Sequence, residues 1–186
     1  MSRNTKINKN SVTMKKIIFV FVVLFGQMFF GQEKEELLEI NFPEEYDWKV
    51  ETNIDNDDLR VIQLVPEKES REEWSILLSY VYFKNLEKYN VELLKNIAIE
   101  SFKKNAPKGR VTILGESKKG ERVWMLYKIE NPKFIDKKNN GAVLYYTLQG
   151  DKNIHTLSVE IKEKSLSEEF MKKWSKVFKE GRLVNE

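Results

Sequence analysis

Apolar residues follow three kinds of pattern along the 186-residue chain. From Ile17 to Phe25 they run unbroken, and after Gly26 and Gln27 the run resumes at Met28, Phe29 and Phe30. Further on, Val91, Leu94, Ala98 and Phe102 recur at steps of three or four, with Leu93 and Ile97 beside them. That period predicts a helix over Val91–Asn105, with Asn90 as its N-cap and Ala106-Pro107-Lys108-Gly109 as its stop. Leu166, Phe170, Trp174 and Phe178 step by four with Val177 alongside, which predicts a second helix over about Glu168–Glu180. Ser167 caps its start, Leu166 packs on Met171 as a staple, and Gly181 closes its last turn.

Elsewhere, short β-branched and aromatic runs lie between turn residues and predict strands. These are Tyr46–Glu51, Leu59–Val65, Ser75–Phe83, Arg110–Leu114, Arg122–Glu130, Gly141–Leu148 and Ile154–Lys162. Pro66 should stop the second of them. The turns Asn53–Asp58, Glu116–Gly120 and Gln149–Asn153 suggest hairpins, hence antiparallel pairing. Val123, Met125, Tyr127 and Ile129 share one parity, and Trp124 and Leu126 share the other. Apolar residues on both parities imply a strand covered on both faces. The expected fold is therefore of the α+β class: an antiparallel sheet of six or seven strands with one helix on each face, an α/β/α sandwich. Its limits are set at about Ile40 and Gly181, with the acidic Gln32–Glu39 as a mobile lead-in. The whole of residues 32–186 forms one domain.

The N-terminal apolar run is preceded by Arg3, Lys6, Lys9, Lys15 and Lys16 and followed by Gly31. A basic flank, a short apolar centre and a small residue make a secretory signal peptide over residues 1–31. Ile17–Phe30 is 14 residues, against the ~20 needed to span a bilayer as a helix. A retained anchor is the competing reading. Cleavage is placed after Gly31 or Gly26. The thirteen residues before Met14 add nothing that export requires, so Met14 is the expected start. The chain should then be periplasmic or extracellular, touching the membrane only transiently through this segment.

The leader also distorts the charge. The whole chain has 32 basic and 29 acidic residues, a net of +3, and a pI near 8.8. Residues 1–31 hold five of the basic residues and none of the acidic ones, so the remainder carries 27 against 29, a net of −2. No basic surplus is left to displace counterions from phosphates, so nucleic acid is not an expected partner.

The chain has no cysteine and one histidine. Disulfides, cysteine nucleophiles and multi-ligand Cys/His zinc sites are excluded. A serine triad could be built only around His155, which reads as a partly exposed residue at the start of a strand. Gly115 and Gly120 have P-loop spacing, but Glu121 and Arg122 follow where Lys and Ser/Thr are required, so they mark a hairpin turn. Asp55, Asp57 and Asp58 could offer oxygens to calcium, yet Leu59 stands where such a loop needs glycine. Glu67, Glu69, Glu72 and Glu73 alternate with Lys68 and Arg71 and read as a solvated face. No cofactor or metal site is legible, and no catalytic residue is assigned.

Aromatic residues remain. Trp48, Trp74, Tyr80, Tyr82, Trp124, Tyr145 and Tyr146 lie on or beside strands. Core packing is their ordinary use. The functional alternative is a pocket or patch for an apolar ligand or partner, with Lys137–Gly141 at its rim.

The segment Phe42-Pro43-Glu44-Glu45-Tyr46-Asp47-Trp48 resembles the Phe-Pro…Trp opening of PsbP-like domains, a fold shared with DcrB-like bacterial envelope proteins. Leu64-Val65-Pro66 through Trp74 and the strand after it look similar to small exported bacterial proteins of unknown role, and the Leu148-Gln149-Gly150 turn and the closing amphipathic helix add to the resemblance. The resemblance spans about residues 40–181. It implies the sandwich fold, an envelope location and a binding or assembly role, and it brings no catalytic residue. The leading expectation is thus an exported, non-enzymatic domain that binds an envelope protein or a small apolar ligand. A carboxylate-based hydrolase and a periplasmic chaperone or assembly factor are the alternatives.

Overall fold

The computed structural model describes residues 35–86, 89–105, 109–130 and 141–185. The leader and most of the Lys137–Gly141 loop lie outside the described residues. None of the described helices is long and apolar enough to cross a membrane.

The elements run β1 (Glu36–Glu39), a 3-10 turn (Glu44–Tyr46), β2 (Trp48–Asp55), β3 (Leu59–Pro66), β4 (Ile76–Phe83) and α1 (Val91–Asn105). Then come β5 (Arg110–Glu116), β6 (Trp124–Glu130), β7 (Ala142–Gln149), β8 (Ile154–Ile161), α2 (Glu168–Lys179) and β9 (Arg182–Asn185). Seven strands form one antiparallel sheet in the order β2-β3-β4-β8-β7-β6-β5. The expected α+β class and strand number hold for this sheet. The hairpins β2–β3, β5–β6 and β7–β8 pair as predicted. β8 lies between β4 and β7 and so joins the early strands to the late ones.

The helix signals were accurate because they were local. Asn90 Oδ1 accepts from Leu93 N–H at 2.8 Å at the start of α1. Ser167 Oγ accepts from Phe170 N–H at 3.1 Å at the start of α2, and Leu166 beside it is buried. Ser167→Ala is expected to destabilise the protein by about 1 kcal/mol through loss of that cap, as a urea midpoint would show.

Four expectations need correction. The lead-in is not loose over its described part: Glu36–Glu39 is β1, which pairs antiparallel with β9 in a separate two-stranded sheet. The fold therefore extends beyond Ile40 and Gly181 at both ends. The first long strand begins at Trp48, because Asp47 takes a left-handed conformation (φ 43°) after the 3-10 turn. It also runs on through Asn53 and Asp55, with a bulge between Val50 and Thr52. Pro66 does end β3, as expected, opposite Trp48. Gly181 is glycine for room: a Cβ there would lie 3.1 Å from Ile40 Cγ1 and 3.3 Å from Leu38 Cδ1, on and just after β1.

Two apolar clusters organise the interior. One joins Ile62, Leu64, Ile76, Leu78, Leu126, Leu144, Tyr146, Leu157 and Val159 to Leu166, Trp174 and Phe178 of α2 and its approach. The other joins Met125, Tyr127, Ile129 and Ile154 to Leu94 and Phe102 of α1. Met125 and Tyr127 of β6 enter the second cluster, while Leu126 between them enters the first.

Candidate functional site

The most chemically loaded part of the molecule is where β1 meets the large sheet. His155, second in β8, shares its face with Leu157 and Val159, which alternate with it. It has no solvent exposure. The expectation of a partly exposed strand-end histidine is overturned. Its neighbours across the sheet are Tyr82 and Leu148, and Glu36 closes over it from β1. Nothing near His155 in sequence announces a cover supplied 119 residues away.

Both ring nitrogens are engaged. His155 Nε2 lies 3.3 Å from Glu36 Oε1, and Nδ1 lies 2.8 Å from the Tyr80 hydroxyl. An ionised carboxylate can only accept, so Nε2 carries the proton and Nδ1 accepts from Tyr80 O–H. The backbone of Leu38 in β1 acts on the Tyr80 hydroxyl from the other side, opposing the rise that burial causes. Glu36 is itself well held. Asp151 N–H donates to Oε1 at 3.0 Å and to Oε2 at 3.2 Å, and Arg122 Nη1 stands 3.8 Å from Oε2. A Cβ at Gly150 would land on Glu36 Oε1 and lie 3.0 Å from His155 Nε2. Gly150→Ala should therefore displace Glu36 and loosen β1, seen as selective loss of amide protection in β1 and β9.

Burial pushes the His155 imidazole below its ordinary value of 6.5 and outweighs the attraction of Glu36, while Arg122 adds to the fall. Burial also raises Tyr80, and it carries Tyr82 up to about 12. The chain Tyr80–His155–Glu36 is neutral at its centre and sealed. It has the residue types of a proton relay, but neither imidazole nitrogen is free to meet a substrate. Its work is to hold β1 against the sheet.

The aromatic residues singled out from the sequence are dispersed. Tyr82 and Tyr146 are buried, while Trp48, Trp74, Tyr80, Trp124 and Tyr145 are half-buried. Trp48, Tyr80 and Trp124 border the α2 cluster, whereas Tyr145 borders the α1 cluster and stacks on Tyr127 at 4.9 Å. Lys179 sits over the Trp124 ring and Lys162 over Trp74, each at 4.7 Å. Among the described residues, several rings gather near the surface around Trp48. Tyr46 lies 4.9 Å from Trp48, Phe42 lies 6.5 Å and Trp174 lies 6.1 Å away. Trp48 Nε1 donates to Pro43 O at 3.0 Å, which fixes the ring over the 3-10 turn. Val50, two residues further along the same edge strand, is 45% exposed. Lys173 reaches across from α2, pairing with Glu45 and lying 4.7 Å above the Tyr46 ring.

The remaining sequence candidates have structural partners. Asp55 pairs with Arg60 at 2.6 Å and with Lys84 at 2.6 Å. Partial burial would raise its carboxyl, but these two cations prevail and hold it below the usual range. Asn56 Oδ1 accepts from Asp58 N–H and Leu59 N–H, an ordinary Asx turn. Among the described residues no group of three His, Asp or Glu is placed to hold a metal ion. Gly115 lies within β5 at its bulge, and Gly120 lies in the β5–β6 turn with a φ of 89°. Glu69 accepts from Ser75 N–H and Oγ, so that acid closes a loop.

Sequence reading missed Glu36, Arg122 and Asp151. Glu36 was hidden in an acidic run, although Leu38, Ile40 and Phe42 at alternate positions after it were the available sign of an inward-facing strand. The chain matches no protein-family model and no curated protein sequence.

Proposed function

We propose that this chain is an exported, non-enzymatic binding domain of the PsbP-like or DcrB-like kind, which holds an envelope protein or a small apolar ligand. The observation that carries the reading is the apolar corner of Phe42, Tyr46, Trp48 and Val50. Three of its rings stay half-buried and Val50 is exposed, although α2 packs beside them. Aromatic side chains at a surface bring large contact area at small entropic cost. The sealed state of His155 supports binding over hydrolysis, since the one imidazole is spent on internal contacts.

The layering fits the same reading. We infer an α/β/α sandwich, because Trp174 and Phe178 of α2 share a cluster with Leu126, while Leu94 and Phe102 of α1 share one with Met125 and Tyr127. With both layers in place the outer edge of β2 is left for recognition.

The test is mass spectrometry of whatever co-purifies with the native protein from envelope extract, set beside a Val50→Asp variant. A bound species lost in the variant supports the proposal. An empty native protein, or one whose cargo ignores the substitution, overturns it.

A further inference from the structure

We propose that the Tyr80–His155–Glu36 chain is an acid-released clasp: when His155 takes up a proton, β1 and β9 lift from the seven-stranded sheet while that sheet stays folded. The geometry makes such a local opening available. The main-chain ladder of β1 runs only to β9, from Glu36↔Asn185 to Glu39↔Arg182, and not to the large sheet. Polar ties from β1 to the sheet and its turns converge on one spot, the Glu36 carboxylate. The apolar ties are half-buried Leu38 and Leu183, at the border of the α2 cluster. Lifting β1 removes the cover over Nε2 and lets water reach the ring.

Protonation works against the closed form for identifiable reasons. The new proton must go on Nδ1, where the Tyr80 hydroxyl now donates. Two donors would then meet unless Tyr80 turns its proton away. Glu36 could stabilise the imidazolium, but that carboxylate is shared with Asp151 N–H and Arg122. The titratable and charged groups around the ring are Glu36 from β1, Tyr80 and Tyr82 from β4, and Arg122 before β6. Asp151 in the β7–β8 turn pairs with Arg122 at 3.7 Å. Glu35 is held by Arg60 of β3 at 3.4 Å. Burial prevails among these influences and holds the imidazole below 6.5.

The sign follows by linkage. An imidazole that titrates lower when closed than when open favours the closed form above about pH 6.5. Below that, the open form binds the proton first, and the opening constant rises about tenfold per pH unit until the closed-state value is passed.

Amide hydrogen exchange of the purified protein between pH 7.5 and 5.0, corrected for intrinsic rates, tests this. Protection of Leu37, Leu38, Leu183 and Val184 should fall on acidification while that of β6, β7 and α1 stays level. His155→Gln, which keeps polar groups at the ring but cannot titrate, should flatten the response. Because His155 is the only histidine, its ring resonances give a second readout in the unmodified protein. They should show an imidazole that titrates below its ordinary value of 6.5 and together with β1 opening. Flat β1 protection down to pH 5.0, equal loss in every element, or free titration near 6.5 with β1 closed would each overturn the clasp.

Discussion

Trp174→Ala is expected to cost about 3–5 kcal/mol, the range for removing a fully buried large aromatic side chain. The indole has no solvent exposure. It is ringed by Phe178 at 5.8 Å, Tyr46 at 6.0 Å, Trp48 at 6.1 Å and Phe170 at 6.1 Å. Its removal strips α2 of its central contact and leaves Tyr46 and Trp48 without a floor. Since small domains are stable by only about 5–15 kcal/mol, this is a large share of the total. Trp174→Phe should be much milder. Trp174 Nε1 is buried without a hydrogen-bond partner, so phenylalanine sacrifices volume but also removes a costly orphan donor. Urea denaturation of the two variants checks the ordering.

Glu36→Ala is expected to cost about 3 kcal/mol, the upper end for hydrogen bonds to a charged group. Asp151 N–H and His155 Nε2–H would both lose their acceptor, and His155 is too enclosed to recruit water at once. Glu36→Gln keeps an acceptor oxygen and should recover much of the loss. Equilibrium denaturation measures the size. Amide exchange localises it to β1 and β9, where a merely electrostatic effect on the whole domain would not.

How far the sequence carries depends on how local each cause is. α1 was legible from Asn90 to Asn105 because its cap, its period and its apolar face lie within one segment. The same is true of α2, whose steps of four from Leu166 to Phe178 name the residues that become core. β3, β4, β7 and β8 were legible because their β-branched and aromatic runs are long. β1 and β9 were not, since four residues each carry no period that rises above an acidic or terminal background. The position of Tyr46 and Asp47 outside β2 depended on a left-handed residue that is not glycine. His155 was misplaced for a different reason. Burial at a strand start is decided by what lies over it, and here the cover comes from Glu36, at the far end of the described chain. The aromatic residues were rightly noticed as a set, but sequence could not say that they divide between two clusters and gather near the surface around Trp48.

The place of β8 has a consequence for how the chain matures. Its two ladder partners, β4 and β7, are already made when residues 154–161 emerge, yet they cannot meet without it. A nascent chain that ends before Ile154 has two raw sheet margins, the sort that invite mispairing. High contact order of this kind slows collapse to the final topology. The seven-stranded sheet therefore cannot close until residues 154–161, in the last fifth of the chain, are available.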